Sequence, residues 1–436
     1  MPEWDIVRIM KERKDRLKGL AQRLYITFDT FVANDLFTYA SAGAYSFLLS
    51  ALPVLLMVLV ILLRLLNTSP DVIRDLLGSS RLFTESLDIS TFLDSVMSIK
   101  SVGIFEAVIG ISIFWMARRF FASIQHGMKI IYRKRGKGKP IKENLVVLAG
   151  EAILIILIVA ATIFLIAGNA FFNSELSENL FSPFFFSLLK NLFRYAPFAI
   201  ILIFLFLVYM YSPRTRPSIK QSLGAAVACT VSFAVVQLAF TSIVNMSRYN
   251  LVYGILSNVI IILFEVYLFF FLFLFYAQFL YVIQYFESFL LARIYLLPAY
   301  DDPGTMRQIE RMLFVKPTLF FRKYSVLIKA GETIFRIGED TTEIYYIWQG
   351  DIALNMPNQV LGVGCGRIFG EFSGMIGASR TATAVAVTDT VLLRIPARIF
   401  QETIEVDGGM SRRTLQMIAD YVRKQNASPL STHSQV

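Results

Sequence analysis

Apolar positions divide the chain into two regimes. Between residues 36 and 286 they form long runs near 36–63, 102–126, 144–170, 194–212, 222–245 and 254–286. At about 1.5 Å of rise per residue, each run is long enough to cross a hydrocarbon layer of about 30 Å. From about residue 316 the runs give way to short period-2 alternations. Gly331, Gly338 and Gly350 punctuate them, predicting strands over IFRI, IYYIW and DIAL. The pattern predicts an all-α polytopic membrane domain of six transmembrane helices, followed by a C-terminal β-roll with flanking helices. The divisions are a cytoplasmic amphipathic segment 1–30, a membrane domain 31–287, a linker 288–315, a β-roll domain 316–424 and a disordered tail 425–436.

Residues 1–30 have apolar positions at helical spacing and a basic face. This reads either as a helix lying on the cytoplasmic membrane surface or as a solvated helical tail. Residues 67–101 are polar with scattered apolar positions and predict short helices on the outer surface. SELSENLFSPFFF near 174–186 predicts an interfacial turn, with Pro183 as a breaker and aromatics at headgroup depth.

Composition agrees with the membrane reading. The 436 residues are 56% hydrophobic and 17% charged, with 39 Phe, whereas soluble chains carry about a quarter charged residues. A net charge of +10 raises nucleic acid as a partner, but the basic residues are placed differently. Residues 1–24, 129–142 and 213–220 hold 17 Lys/Arg, against 5 in 67–101, 171–190 and 245–253. The positive-inside rule then places both termini in the cytoplasm. RKRGKGKPIK at 133–142 reads as a topology determinant beside anionic headgroups, without the interleaved aromatics of an RNA-binding surface. No nucleic-acid partner is expected. The first 25 residues show no signal-peptide core. The two cysteines, Cys229 and Cys365, fall in different regimes, and the two histidines, His126 and His433, are far apart. Neither a disulfide framework nor a metal site is expected.

The apolar runs contain a few costly polar positions. Pro53 interrupts the hydrogen bonding of the first span after Ser41, Ala42, Gly43 and Ala44, so this span either kinks there or breaks and exposes backbone dipoles. Arg118 and Arg119 lie close enough to the basic loop to snorkel to the headgroups. Alternatively, one of them pairs with Glu151 on the third span. Glu265 falls near mid-bilayer on the sixth span, with Asn258 about two turns away. Gln237 and Thr230 are offered by the fifth span. Glu265 is read as a static protonated group, a proton or cation relay, or a substrate contact.

These segments resemble the YihY/BrkB family of bacterial inner-membrane proteins, over roughly residues 25–290. The resemblance rests on Ala44-Tyr45-Ser46-Phe47 leading to Ser50-Ala51-Leu52-Pro53, then Tyr211-Ser212-Pro213, Gly224-Ala225 and Tyr249-Asn250-Leu251-Val252-Tyr253-Gly254. It implies a six-helix inner-membrane body. Two positions depart from the family pattern: Tyr276-Ala277-Gln278 stands where Gly-Ala-Glu is usual, and Glu265 where an aromatic is common.

The motif RIFGEFSGMIGASRTATAVAVTDTVLLRI resembles the phosphate-binding cassette of cyclic nucleotide-binding domains. Gly370-Glu371 is followed nine residues later by Arg380, with Ala382 completing Arg-x-Ala. The resemblance covers about residues 316–424 and implies a site of Gly370, Glu371, Phe372, Ser373, Arg380, Thr381 and Ala382. Glu371 would accept the ribose 2′-hydroxyl, and Arg380 would pair with the cyclic phosphate. The N–H groups of Gly370 and the next turn would cradle the phosphate, and Thr381 would add a hydroxyl. A final helix near 409–424 would close over the base. Gly374 stands where a larger apolar residue is usual, and Ser379 where Pro is frequent.

Together these features point to an inner-membrane transporter for a lipid, envelope precursor or small solute, regulated by cAMP or cGMP, and not to an enzyme. A gated channel is a variant of this reading, although no TVGYG-like filter segment is present. A non-transporting nucleotide sensor or scaffold and a membrane-associated ribonuclease are the alternatives. The expected partners are the lipid bilayer, the cyclic nucleotide and, as an open option, further copies of the chain.

Overall fold

The computed structural model describes residues 3–60, 124–132, 183–193, 195–211, 217–243, 255–296, 313–314, 319–357, 359–412 and 414–416, with isolated positions between 160 and 172. The chain forms two compact units, Phe28–Tyr281 and Met1–Thr27 with Val282–Val436.

The first unit is helical. Helix α1 (Glu3–Ala33), whose residues up to Thr27 belong to the second unit, is separated from α2 (Leu36–Val60) by Asn34 and Asp35. Asp35 takes a left-handed φ of 53°, and its carboxylate accepts a hydrogen bond from Thr38 Oγ1 at 3.0 Å. A short side chain that bonds locally is what this conformation tolerates. Helix α2 continues through Pro53 to Val60, so the predicted interruption does not break the helix. One missing N–H in a long apolar helix costs less than exposing a broken backbone in lipid.

Helix α3 (Pro183–Phe193) begins where the sequence predicted an interfacial turn. Proline at the first helical position loses nothing, because that N–H has no intrahelical partner. Pro183 therefore starts a helix instead of stopping one. Helix α4 (Ala196–Tyr211) follows α3 at a bend of 51°. Pro197 accounts for the bend, since it lacks an N–H and its ring clashes with the carbonyl four residues back. Helix α5 is Ile219–Ile243 and α6 is Ile255–Gln284. Among the described residues, Ile219–Ala239 and Ile260–Gln284 are long and apolar enough to cross a membrane. The bent pair α3–α4 makes a third if it acts as one span.

Helix α6 is the centre of this unit. Phe270, Phe273, Leu274, Ala277 and Tyr281 are buried at helical spacing. Gly43 of α2 lies against Phe270, and Gly127 lies against Leu274. The Tyr209 ring of α4 stacks on Phe273, and its hydroxyl donates to the Phe273 carbonyl at 2.9 Å. Tyr132 donates to the Ala277 carbonyl at 3.3 Å. Ser232 of α5 shares a 2.6 Å hydrogen bond with Tyr276.

In the second unit, α7 (Phe286–Leu296) begins after a single turn residue, Tyr285. The sequence assigned 288–315 to a linker. Phe289, Leu290, Leu291, Ala292 and Ile294 are instead buried, and α7 packs on the later helix α10 (Ala397–Val406). Helix α8 (Leu319–Tyr324) leads into eight strands: β1 (Ser325–Ile328), β2 (Thr333–Phe335), β3 (Ile344–Gln349), β4 (Ile352–Met356), β5 (Gln359–Val363), β6 (Ile368–Phe369), β7 (Thr383–Ala386) and β8 (Thr390–Ile395). Helix α9 (Glu371–Ile376) lies between β6 and β7.

The strands form two antiparallel sheets in the orders β1-β8-β3-β6 and β2-β7-β4-β5. Phe335, Ile347, Ile352, Phe369, Ala384 and Leu392 fill the core. Gly350 turns β3 into β4 with φ of 96°, and a Cβ there would meet the Asp389 carbonyl at 2.9 Å. Only glycine satisfies both the left-handed φ and that close approach.

Gly43→Val tests the α2–α6 contact, because a Cβ at Gly43 would lie 2.7 Å from Phe270 Cδ1. Overpacking of this kind costs about 1–3 kcal/mol. The detergent-solubilised variant is expected to melt below wild type, with Phe270→Leu restoring part of the loss. Unchanged melting would show that the two helices separate freely.

Candidate functional site

Gly370 sits between β6 and α9 with φ of 76°, a left-handed conformation that a side chain would strain. A Cβ there would also lie 2.5 Å from Arg380 Nη1. The main chain of Gly370 is therefore free to meet the guanidinium directly. Arg380 Nη1 donates to the Gly370 carbonyl at 2.9 Å, Nη2 to the Glu343 carbonyl at 2.6 Å and Nε to Thr341 Oγ1 at 2.7 Å. The guanidinium carbon lies 4.1 Å from the Phe335 ring centre and 5.8 Å from that of Tyr345.

Arg380 is only 2% exposed, yet every one of these partners is neutral. Ion pairs among the described residues do not include it. The nearby Glu343 carboxylate is taken by Arg394 at 2.6 Å and by the Tyr345 hydroxyl at 3.2 Å. Burial lowers the Arg380 pKa, opposed by Tyr345, Glu343, Glu339 and Glu371. A guanidinium stays charged in spite of such shifts. It has five N–H donors, of which three are used here, leaving one on each Nη. A buried cation without a carboxylate is costly until an anion reaches it.

Glu371 opens α9, half-buried. Burial pushes its carboxyl above the usual range, against its own backbone N–H and the Arg380 charge. Ser373 is buried and donates to the Ser379 carbonyl at 3.4 Å. Ala382 is buried, Thr381 exposed and Phe372 half-buried. Gly374 is close-packed: a Cβ there would meet Ile344 at 2.6 Å and the Thr342 carbonyl at 2.9 Å. Ser379 donates to Asp340 Oδ1 at 2.7 Å. Both departures from the usual cassette pattern thus serve contacts with the β2–β3 connection. Of the final helix, 408–412 and 414–416 are helical. The remainder to residue 424 lies outside the described residues.

A model of the family described as virulence factor BrkB matches residues 27–291. The chain belongs to the BrkB family. A cyclic nucleotide-binding domain model matches residues 325–407, so the BrkB body is fused to that domain. The family and the apolar helices together make this an integral membrane protein. Among characterised relatives, a cyclic nucleotide-gated potassium channel of Rhizobium etli is 29% identical over 105 residues, covering 24% of this chain and 27% of the channel. A lysophospholipase of Aspergillus fumigatus is 30% identical over 104 residues, covering 22% of this chain and 7% of the enzyme. That second match is confined to the cyclic nucleotide-binding domain. The chain therefore spans only a minor part of either relative. A solved structure reported under "A cyclic-GMP-dependent signalling pathway regulates bacterial phytopathogenesis" is 28% identical, covers 25% of this chain and 92% of its own, and has a TM-score of 0.22.

In the BrkB region, Glu265 is half-buried on α6, with Asn258 two turns earlier on the same helix. Gln237 is half-buried on α5, and Thr230 spends its hydroxyl on the Ala226 carbonyl at 2.9 Å. Pro53 lies within α2. Arg118, Arg119 and Glu151 lie outside the described residues. Gln278, where the family's Glu is usual, is buried and accepts from Asn34 Nδ2 at 3.4 Å. Sequence reasoning missed Thr341, Glu343 and Phe335 as surroundings of Arg380. The available signal was the polar run GEDTTE between two predicted strands.

Helices α7, α8 and α10 are tied by polar contacts. Glu287 accepts from Lys323 at 2.6 Å and from the Tyr324 hydroxyl at 2.7 Å. Ser288 Oγ donates to Glu402 at 3.1 Å, and Thr403 Oγ1 donates to the Ser288 carbonyl at 3.3 Å. Burial pushes the Glu287 carboxyl up, but Lys323 and Tyr324 outweigh it, and the net shift is downward. A depressed folded pKa adds stability above the unfolded carboxylate range, and that stability is lost as pH falls through the folded pKa. The exposed geometry limits it to less than about 1 kcal/mol. Wild type is expected to melt slightly above Glu287→Gln at neutral pH, with the gap closing on acidification. A gap that widened in acid would contradict the assignment.

Proposed function

We propose that this protein is a six-span transporter of the bacterial inner membrane with both termini in the cytoplasm, regulated by a cyclic nucleotide at its C-terminal domain. The observation that carries the regulatory part is the Arg380 guanidinium, buried among neutral partners with one N–H left on each Nη. A cyclic phosphate supplies the missing negative charge and the acceptors. Glu371, opening α9, accepts the ribose 2′-hydroxyl as a carboxylate. The purine, adenine or guanine, lies toward Thr381. The cargo is a lipid, envelope precursor or small solute, and Glu265 with Asn258 and Gln237 forms its polar contacts within the membrane body.

Regulation follows from the order of the helices. Helix α9 lies against α10, where Gln401 Nε2 donates to the Gly374 carbonyl at 3.4 Å. Helix α10 holds α7 through Ser288 and Thr403, and α7 follows α6 after one residue. A displacement of α9 on ligand binding is passed along that order to the last span. A ligand shifts the membrane state only by its preference for one state, and a tenfold preference is worth about 1.4 kcal/mol.

Titration calorimetry of the purified full chain with cAMP and cGMP tests this reading. Arg380→Ala is expected to weaken binding by at least about 100-fold, as loss of one partner from a buried charge pair does. Affinity is also expected to fall as pH drops through the raised pKa of Glu371, because the protonated carboxyl no longer accepts from the ribose. Unchanged binding by Arg380→Ala overturns the site. Nucleotide binding without solute or lipid movement in proteoliposomes favours a non-transporting sensor.

A further inference from the structure

The structure assigns Thr341 as a positioning residue that sets which edge of the Arg380 guanidinium faces the ligand. The inference rests on Arg380 being the phosphate-binding group. A guanidinium offers two bidentate edges, one made by Nε with one Nη and the other by the two Nη atoms. Thr341 Oγ1 accepts from Nε at 2.7 Å, which takes the first edge out of use. The carbonyls of Gly370 and Glu343 take one N–H from each Nη. What remains is one N–H on each Nη. Of the three hydrogen-bond acceptors, Thr341 is the only side chain, so it is the one that substitution can remove cleanly.

The connection carrying Thr341 is itself held in place. Arg380 N donates to the Glu339 carbonyl at 2.9 Å, and Gly338 N to the Arg380 carbonyl at 2.8 Å. Ser379 Oγ reaches Asp340 at 2.7 Å. Helix α9 approaches so closely at Gly374 that a Cβ would lie 2.9 Å from the Thr342 carbonyl. Thr341 is therefore clamped between its own connection and the cassette. Its hydroxyl meets Nε because the surrounding main chain is fixed.

A cyclic phosphate has two exocyclic oxygens, and its Sp and Rp phosphorothioates replace one or the other by sulfur. A guanidinium held in one orientation distinguishes the two diastereomers, and one free to rotate does not. The test is calorimetry of the full chain with cAMP, cGMP and both phosphorothioates of each. Wild type is expected to prefer one diastereomer. Thr341→Val is expected to lose about tenfold in affinity for the parent nucleotide, since a buried Nε–H is left unpaired, and to bring the diastereomer ratio toward one. Thr341→Ser keeps the hydroxyl and is expected to restore both. Gly374→Ala, which pushes on the same connection, is expected to reduce the ratio without removing the hydroxyl.

Melting of each variant without ligand separates loss of fold from loss of positioning. Equal weakening of both diastereomers by Thr341→Val, with the ratio kept, overturns the positioning role. Wild-type affinity and ratio in Thr341→Val overturn it also, while loss of binding in Arg380→Ala leaves the phosphate reading standing. Failure of wild type to bind either nucleotide overturns the reading on which this one rests.

Discussion

The C-terminal domain holds a buried positive charge, Arg380, that forms no ion pair among the described residues. Arg380 donates three hydrogen bonds to neutral oxygens and lies over the Phe335 ring, while the Glu343 carboxylate is committed to Arg394. A guanidinium in that position is costly unless its donors are met and an anion approaches. Much of the local architecture follows. Gly370 has no side chain, so its carbonyl reaches Nη1, and Gly374 lets α9 lie against the connection that supplies Thr341 and Glu343. The cassette and the connection form one frame around the charge.

The membrane unit depends on close packing. Helix α6 receives Gly43 and Gly127 on its buried face and the Tyr209 and Tyr132 hydroxyls at its carbonyls. Small residues opposite large aromatics let apolar helices gain dispersion contacts without a hydrophobic driving force between them. Tyrosine hydroxyls bonded to helix carbonyls give that packing a direction. The half-buried Glu265 lies on the same helix. One helix thus carries both the contacts that assemble the body and its conspicuous acid.

Helix α7 follows α6 in the chain and lies within the second unit. Its apolar face is buried, and Glu287 and Ser288 bond to α8 and α10. Hydrogen bonds from Ser288 and Thr403 fix this short helix to α10.

Much of this was readable from the order of residues alone. Apolar runs, the charge asymmetry of the connections and the family pattern led to a membrane body, and Gly331, Gly338 and Gly350 all have the positive φ that their turns require. The spacing from Gly370 and Glu371 to Arg380 led to the cassette, because that pattern is local in sequence. The sequence misled where a proline has two meanings. Pro183 starts α3, and the adjoining bend belongs to Pro197. It also misled at 288–296, where mixed polarity reads as a linker but one apolar face is buried by α10. Thr341 became visible only in three dimensions. Hydrogen bonds between Gly338, Glu339 and Arg380 bring residues about forty positions apart to one point. Sequence determined which residues carry the charge and the turns. Tertiary structure decided which neutral atoms surround that charge, because those atoms come from a connection whose place is set by sheet pairing.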